Sequence, residues 1–321
     1  MVICSTIACG SCSYCRAGYF AQCDNANPGG PLAGTAFFGG PEATGGFDGL
    51  QAGRARIPFA HMTLVRLPDE VSDDQALPIS DIFPTGWFGA KLAEVSSGDT
   101  VAVFGCDPVG QFAIISAFLQ GASRVLAVDA IPDRLAVARS HDAEVIDFES
   151  EDPVEAIRRL TGGIGVDKVI DAVGVDATSP DGGPAAMTEY HEQSARERAD
   201  VAPETNPQGE TFVPGDAPSQ VLRWAVQAVA KAGTIALIGV YPPELQSFPI
   251  GQAFNKNLTL RMGNCNHRRY VPELVELVRV GAVDPATVLS DIEGMTDAVS
   301  AYRAFDERQP GWLKVELEPT A

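Results

Sequence analysis

The chain has 321 residues and a mass of 33.8 kDa, long enough for about two domains. Apolar residues make up 45% and charged residues 20%, which excludes a disordered chain, a collagen-like chain and a small disulfide-stapled one. With 23 Lys and Arg against 42 Asp and Glu, the net charge of −19 opposes nucleic acid and anionic membranes, so any phosphate site must be built locally from helix N-termini and Gly-rich turns.

No apolar run approaches the roughly 18–20 residues of a membrane-spanning helix. No basic, apolar, small-residue leader opens the chain. The expected location is the cytoplasm. From the N-terminus, Cys9, Cys12, Cys15 and Cys23 follow in the spacing C-x2-C-x2-C-x7-C. In a cytosolic chain such crowding favours a metal over disulfides. Four thiolates close a tetrahedral shell around Zn²⁺. No histidine is close, so the site would be all-sulfur, and a closed shell is structural rather than catalytic. Two disulfides or four free thiols are the alternatives. Cys4, Cys106 and Cys265 have no spacing partner.

Residues 24–60 are rich in Gly, Pro and Ala and read as loops and short strands. Ala55–Ala60 and Thr63–Leu67 are candidate strands. From about Asp81 the pattern changes to strands alternating with helices. Strands are expected over Thr100–Phe104, Arg124–Val128, Glu144–Phe148 and Val166–Ala172. Helices are expected over Pro108–Gln120, Pro132–His141 and Pro153–Thr161. A polar stretch, about Val175–Gly215, reads as an inserted surface loop with some helix. Alternation resumes with a helix over Ser219–Ala232, strands over Thr234–Val240 and Leu258–Met262, and a helix over Tyr270–Val280. This order predicts an α/β fold with a doubly wound parallel sheet.

The first strand–turn–helix carries the main functional signal, Phe104-Gly105-Cys106-Asp107-Pro108-Val109-Gly110. In the dinucleotide fingerprint G-x-G-x-x-G, the first glycine makes the turn and the second lets backbone approach the pyrophosphate. The third lets helix and strand pack. Gly105 and Gly110 supply the first and third, but Asp107 stands at the middle position. Asp129 ends the next strand, where the ribose-binding acid belongs, and its charge favours NAD over NADP. Arg134, about one helical turn on, is placed to cover the adenine. Two unit charges about 5 Å apart at an effective dielectric near 20 repel by roughly 3 kcal/mol. If Asp107 faces the phosphates, that costs about tenfold to a hundredfold in affinity; if it points to solvent, the loss is small. A Rossmann-like sheet that binds nothing is the alternative.

Several stretches together resemble the zinc-containing medium-chain alcohol dehydrogenases, most closely the glutathione-independent formaldehyde dehydrogenase-like branch. Thr6-Ile7-Ala8-Cys9-Gly10-Ser11-Cys12, with Cys15 and Cys23, resembles the family's structural zinc lobe. Gly45–Ala52 resembles its Gly-rich segment. Ser80-Asp81-Ile82-Phe83-Pro84-Thr85-Gly86 resembles the branch's signature. Asp171-Ala172-Val173-Gly174, Gly239-Val240-Tyr241 and Asn255–Gly263 continue the series.

The resemblance implies a Rossmann domain within a partial GroES-like β domain that carries the zinc lobe. The expected divisions are residues 1–84, 85–282 and 283–321. It implies hydride transfer from a small alcohol or aldehyde to NAD, with a second, catalytic zinc as Lewis acid. The branch's zinc takes a Cys, a His and an Asp, and Asp81 matches the Asp. The family's other two ligands lie upstream of the zinc lobe, almost where this chain begins. The expectation is a truncated, catalytically weak or inactive chain with an incomplete catalytic zinc site. A non-catalytic, zinc-stabilised nucleotide-binding or interaction protein is the competing reading.

Val173 and Val240 match positions beside the nicotinamide, with sheet-end packing as the alternative. Asn264 and Cys265 match a polar pair near the cofactor. His267, Arg268 and Arg269 form a small basic cluster that meets cofactor phosphates or balances local acids. By the same resemblance a homo-oligomer joined through the Rossmann sheet edge is expected, with no nucleic-acid or membrane partner.

Overall fold

The computed structural model describes residues 1–30, 32–180, 190–201 and 215–319, so most of the insertion expected at 175–215 lies outside the described residues. The chain opens with β1 (Val2–Ile3), α1 (Ser13–Arg16), α2 (Ala60–Thr63), β2 (Leu64–Val65), α3 (Asp73–Ile79) and α4 (Ile82–Leu92). The alternating part follows: β3 (Thr100–Phe104), α5 (Pro108–Leu119), β4 (Arg124–Asp129), α6 (Pro132–Ser140), β5 (Glu144–Asp147), α7 (Pro153–Leu160) and β6 (Val166–Asp171). Next come α8 (His191–Val201), α9 (Gln220–Ala228), β7 (Val229–Leu237), α10 (Ile250–Asn255) and β8 (Thr259–Met262). The chain closes with α11 (His267–Arg279), β9 (Asp291–Gly294), α12 (Ala298–Asp306) and β10 (Val315–Glu318).

Two compact units result. One comprises Met1–Phe88 with Asn264–Ala321, the other Gly89–Gly263. The divisions expected from the sequence lie at 84/85 and 282/283. Helix α11 goes with the first unit because it packs against α3 and the turn Phe20–Gln22 there.

In the second unit, six strands form one parallel sheet in the order β5-β4-β3-β6-β7-β8. This is the Rossmann order, with the direction of winding reversing between β3 and β6. Strand side chains alternate between faces, and both faces here are apolar. Phe104, Leu126, Val128, Val169 and Ile235 meet Ile157 of α7 and Trp224 and Val226 of α9. Val101, Val103, Val125, Ile170 and Ala236 meet Ala113, Ile114 and Ala117 of α5 and Leu135 and Ala138 of α6. Near-continuous apolar strands are what a sheet covered on both faces requires.

The first unit has two small sheets, β1 against β2 antiparallel and β9 beside β10 parallel. A cluster of Ile7, Ala26, Ala36 and the cysteines packs with Phe20, Phe38, Phe47 and Phe59.

Two sequence expectations need correction. Ala55–Ala60 is not a strand. Phe59 sits at φ 49°, a left-handed position, and the chain turns there into α2. The helix over Ser219–Ala232 ends at Ala228, because Val229 joins the sheet opposite Val166 of β6. The carbonyls that end α9 have no helical partner and are met by Lys256, whose Nζ donates to Val226 O, Gln227 O and Val229 O at 2.8, 3.0 and 2.7 Å. An ammonium at a helix C-terminus satisfies orphan carbonyls and the helix dipole together. Lys256→Met is expected to lower stability by about 2 kcal/mol, read as a fall in the urea midpoint at unchanged slope.

Candidate functional site

The four lobe cysteines converge. Their sulfur atoms all lie within 4.8 Å of one another, close enough to share one metal ion. Local structure explains how. Cys12 caps the short α1, whose turn carries Cys15, and the turn at Phe20–Gln22 delivers Cys23. The sulfurs accept backbone and side-chain N–H groups. Ser11 N and Cys12 N each donate to Cys9 Sγ at 3.3 Å, Asn25 Nδ2 donates to it at 3.2 Å, and Cys9 N donates to Cys23 Sγ at 3.2 Å. Burial works to raise the Cys9 thiol, but the hydrogen bonds from Ser11, Cys12 and Cys23 bring it down to about 5. A thiolate is the form that binds zinc. The donor set fits a tetrahedral zinc with no open position, whose contribution is to folding. Among the described residues no other group of three or more His, Cys, Asp or Glu is placed to hold a metal.

The turn after β3 has the geometry that its glycines require. Gly105 lies at φ 89°, where a side chain would be strained. A Cβ on Gly110 would stand 2.0 Å from the Gly105 carbonyl oxygen, so only glycine fits. Pro108 opens α5 at its first turn, Val109 follows it, and Asp107 is the N-cap. The Asp107 carboxylate points back into the helix, and its Oδ1 accepts from Gly110 N at 2.8 Å. Asp129, at the end of β4, is buried. Its Oδ2 accepts from Cys106 N at 2.7 Å, and its Oδ1 from Ala130 N and Ile131 N at 2.8 and 2.9 Å. It therefore holds the turn in place as well as standing where the ribose acid was expected. Arg134, on α6, lies close enough to Asp107 for its charge to be felt there.

The two motifs at 171–174 and 239–241 meet at the same end of the sheet. Buried Asp171 accepts from Val173 N and Gly174 N at 2.9 and 3.0 Å, and Tyr241 donates its hydroxyl to Asp171 Oδ2 at 2.6 Å. Burial pushes the Asp171 carboxyl up, and these donors pull it back. Val175 N donates to Val240 O at 2.9 Å. A Cβ on Gly105 would come 2.7 Å from Val173, so Val173 lies against the turn, while Val240 is 70% exposed. Sequence reasoning listed both motifs but missed the Asp171–Tyr241 bond that orients them. A buried acid ending one strand and a tyrosine past the next was the available signal.

In the first unit, Asp81 meets His267. His267 Nε2 lies 2.8 Å from Asp81 Oδ1, and Nδ1 lies 2.6 Å from Thr6 Oγ1. Thr6 donates its hydroxyl proton to Cys265 O at 3.1 Å, so it accepts from the ring. Nε2 faces a carboxylate, which only accepts. Both ring nitrogens are therefore donors and His267 is an imidazolium. Burial alone would lower its pKa, but Cys265 and Asp81 beside it raise it to about 10. Burial likewise works to raise the Asp81 carboxyl, and His267, Lys314 and Thr85 hold it below its usual range.

Of the basic cluster, His267 thus balances a local acid. Arg268 donates to Leu64 O, and Arg269 lies over Tyr270. Cys265 is buried and donates to Pro84 O at 3.3 Å, a packing position, and Asn264 begins the first unit's return segment. Beside Asp81 a cavity of about 420 Å³ opens within the first unit, with Lys314, Tyr302 and Gln51 as polar lining and Ile82 and Phe305 as apolar walls.

Against known proteins, a family model described as zinc-binding dehydrogenase matches residues 108–182. An uncharacterized zinc-type alcohol dehydrogenase-like protein, AdhB of Bacillus subtilis, is 36% identical over 323 residues, covering 99% of this chain and 79% of AdhB. A glutathione-independent formaldehyde dehydrogenase of Pseudomonas aeruginosa is 30% identical over 322 residues, covering 95% of this chain and 73% of that protein. Among solved structures, the alcohol dehydrogenase TADH from Thermus sp. ATN1 superposes with a TM-score of 0.78 at 29% identity, over 99% of this chain and 76% of TADH.

The cysteine cluster predicts zinc in the purified protein, measured by atomic emission at about one per chain. Chelation, or Cys12→Ser, is expected to remove it and to lower the thermal midpoint by several degrees. An unchanged midpoint after verified zinc loss would mean that the lobe does not contribute to folding.

Proposed function

The chain belongs to the zinc-type alcohol dehydrogenase family, and from that premise we propose that it is an oxidoreductase working with NAD and a small alcohol or aldehyde. The observation that carries the reading is the strand–turn–helix at Gly105–Gly110 ending the central strand of a six-stranded parallel sheet. Bound NAD would supply a hydride acceptor. Gly105, Pro108, Val109 and Gly110 form the turn that would face its pyrophosphate. Asp129 would face the ribose and Arg134 the adenine, and Val173 and Val240 stand at the sheet end where the nicotinamide would lie. Asn264 and Cys265 enter the proposal from the sequence match. The backbone and the strand-end acid fit a dinucleotide; the Asp107 carboxylate on the helix N-terminus does not.

Asp81 is the residue proposed from the family's catalytic metal set. In this structure it is paired with His267, and no second metal-type cluster exists among the described residues. These residues do not fit a catalytic zinc. The zinc of this proposal is the structural ion of Cys9, Cys12, Cys15 and Cys23. For the alcohol or aldehyde, the cavity beside Asp81 offers apolar walls with a carboxylate and the Lys314 side chain at hand.

The chain is further proposed to pair with a second copy through β8, the edge strand of the sheet. Met262 on that strand is exposed, as are Ile250 and Phe254 of α10, which precedes it. An exposed apolar edge is a ready template for pairing. Cysteines clustered as metal ligands rather than paired in disulfides support a reducing, cytoplasmic location. No described helix is long and apolar enough to cross a membrane.

The purified 321-residue chain is expected to bind NADH, seen as enhanced nicotinamide fluorescence. It is expected to reduce NAD⁺ with small alcohols well below the usual enzymatic range of roughly 1–10³ per second. Turnover within that range would show that the residues here complete a catalytic site after all. Failure to bind NADH would remove the dehydrogenase reading.

A further inference from the structure

At an open dinucleotide turn, the first N–H groups of the helix point at the pyrophosphate. Here they point at the chain itself. Pro108 has no N–H to offer. Gly110 N donates to the Asp107 carboxylate at 2.8 Å. Gln111 N donates to Asp107 O, Cys106 N to Asp129 Oδ2, and Gly105 N to Val128 O. The carboxylate lies where an anion would be held and brings a charge of the same sign.

Resting on the NAD reading above, we infer that Asp107 is an affinity-determining residue whose carboxylate occupies the pyrophosphate cradle, so that this chain holds NADH more weakly at its phosphates than a glycine there would allow. Burial raises the Asp107 carboxyl and Asp129 adds to this, while Gly110 N and Arg134 oppose it. An acceptor and a charge are both present at the one position where the fingerprint calls for neither.

The test is calorimetric titration of NADH and, separately, adenosine into the parent chain, Asp107→Gly and Asp107→Asn. Asparagine caps a helix as well as aspartate does and glycine costs only a few tenths of a kcal/mol, so both variants are expected to fold, checked by their urea midpoints. The Asn variant removes the charge and keeps the cap. The Gly variant removes both. Asp107→Gly is expected to bind NADH about tenfold tighter or more, and Asp107→Asn to gain part of that. Adenosine, which has no phosphate, is expected to bind all three alike. A gain confined to Asp107→Gly also supports the inference, as occupancy by the side chain itself. Equal NADH affinity in all three overturns it and leaves the NAD reading standing. Binding of neither NADH nor adenosine by any of them overturns the NAD reading and the inference together.

Discussion

The approach of Gly110 to the Gly105 carbonyl, too close for any side chain, fixes the start of α5 against the end of β3. The rest of the sheet end is built on that contact. It brings Asp107 to the N-cap, lets Asp129 reach the Cys106 amide, and buries Gln111 so that Nε2 donates to Cys106 O at 2.7 Å and Arg134 O at 2.9 Å. Strand, turn and two helices are locked into one geometry by hydrogen bonds between the Asp129 and Gln111 side chains and backbone groups. The side-chain chemistry of the turn is then decided by a single residue, Asp107. A glycine there would leave the helix N-terminus open; an aspartate satisfies it from within.

The same logic of local compensation runs through an acidic chain. The Asp81 carboxylate meets an imidazolium held between it and Thr6. Asp171 is surrounded by three donors. The α9 carbonyls are met by Lys256. Each of these charged groups has a designated partner, as burial of charge demands. The zinc lobe is the other local solution: its own apolar cluster is small, and four sulfurs placed for one metal add a cross-link between segments that otherwise have little to hold them.

The sheet was largely legible in the sequence because its strands are short apolar runs closed by Gly, Asp or Pro. β3, α5, β4, α6, β5, α7, β6 and β8 lie within two residues of their expected ends. The cysteine spacing likewise pointed to one cluster. What failed failed for physical reasons. The helix ending at Ala228 was overextended because apolar residues continue into β7 without a break, and only sheet pairing marks the change. Ala55–Ala60 has a strand-like composition, but the left-handed Phe59 turns it away. The capping box of α3, Ser72 with Gln75, was readable and was passed over. The Asp81–His267 pair could not be read at all, because its partners are distant in sequence and spacing rules see only near neighbours. The direction of the Asp107 carboxylate was also beyond the sequence, which left both orientations open.

The most direct test of the account is the amide resonance of Gly110, followed by nitrogen–proton correlation spectroscopy as NADH is added to the ¹⁵N-labelled chain. The account predicts that in the parent chain this amide stays with Asp107 and does not move, while resonances around Asp129 and Val173 respond. A Gly110 amide that shifts in step with those of Asp129 and Val173 would mean that the pyrophosphate displaces the carboxylate without difficulty, and the closed-cradle account would be wrong.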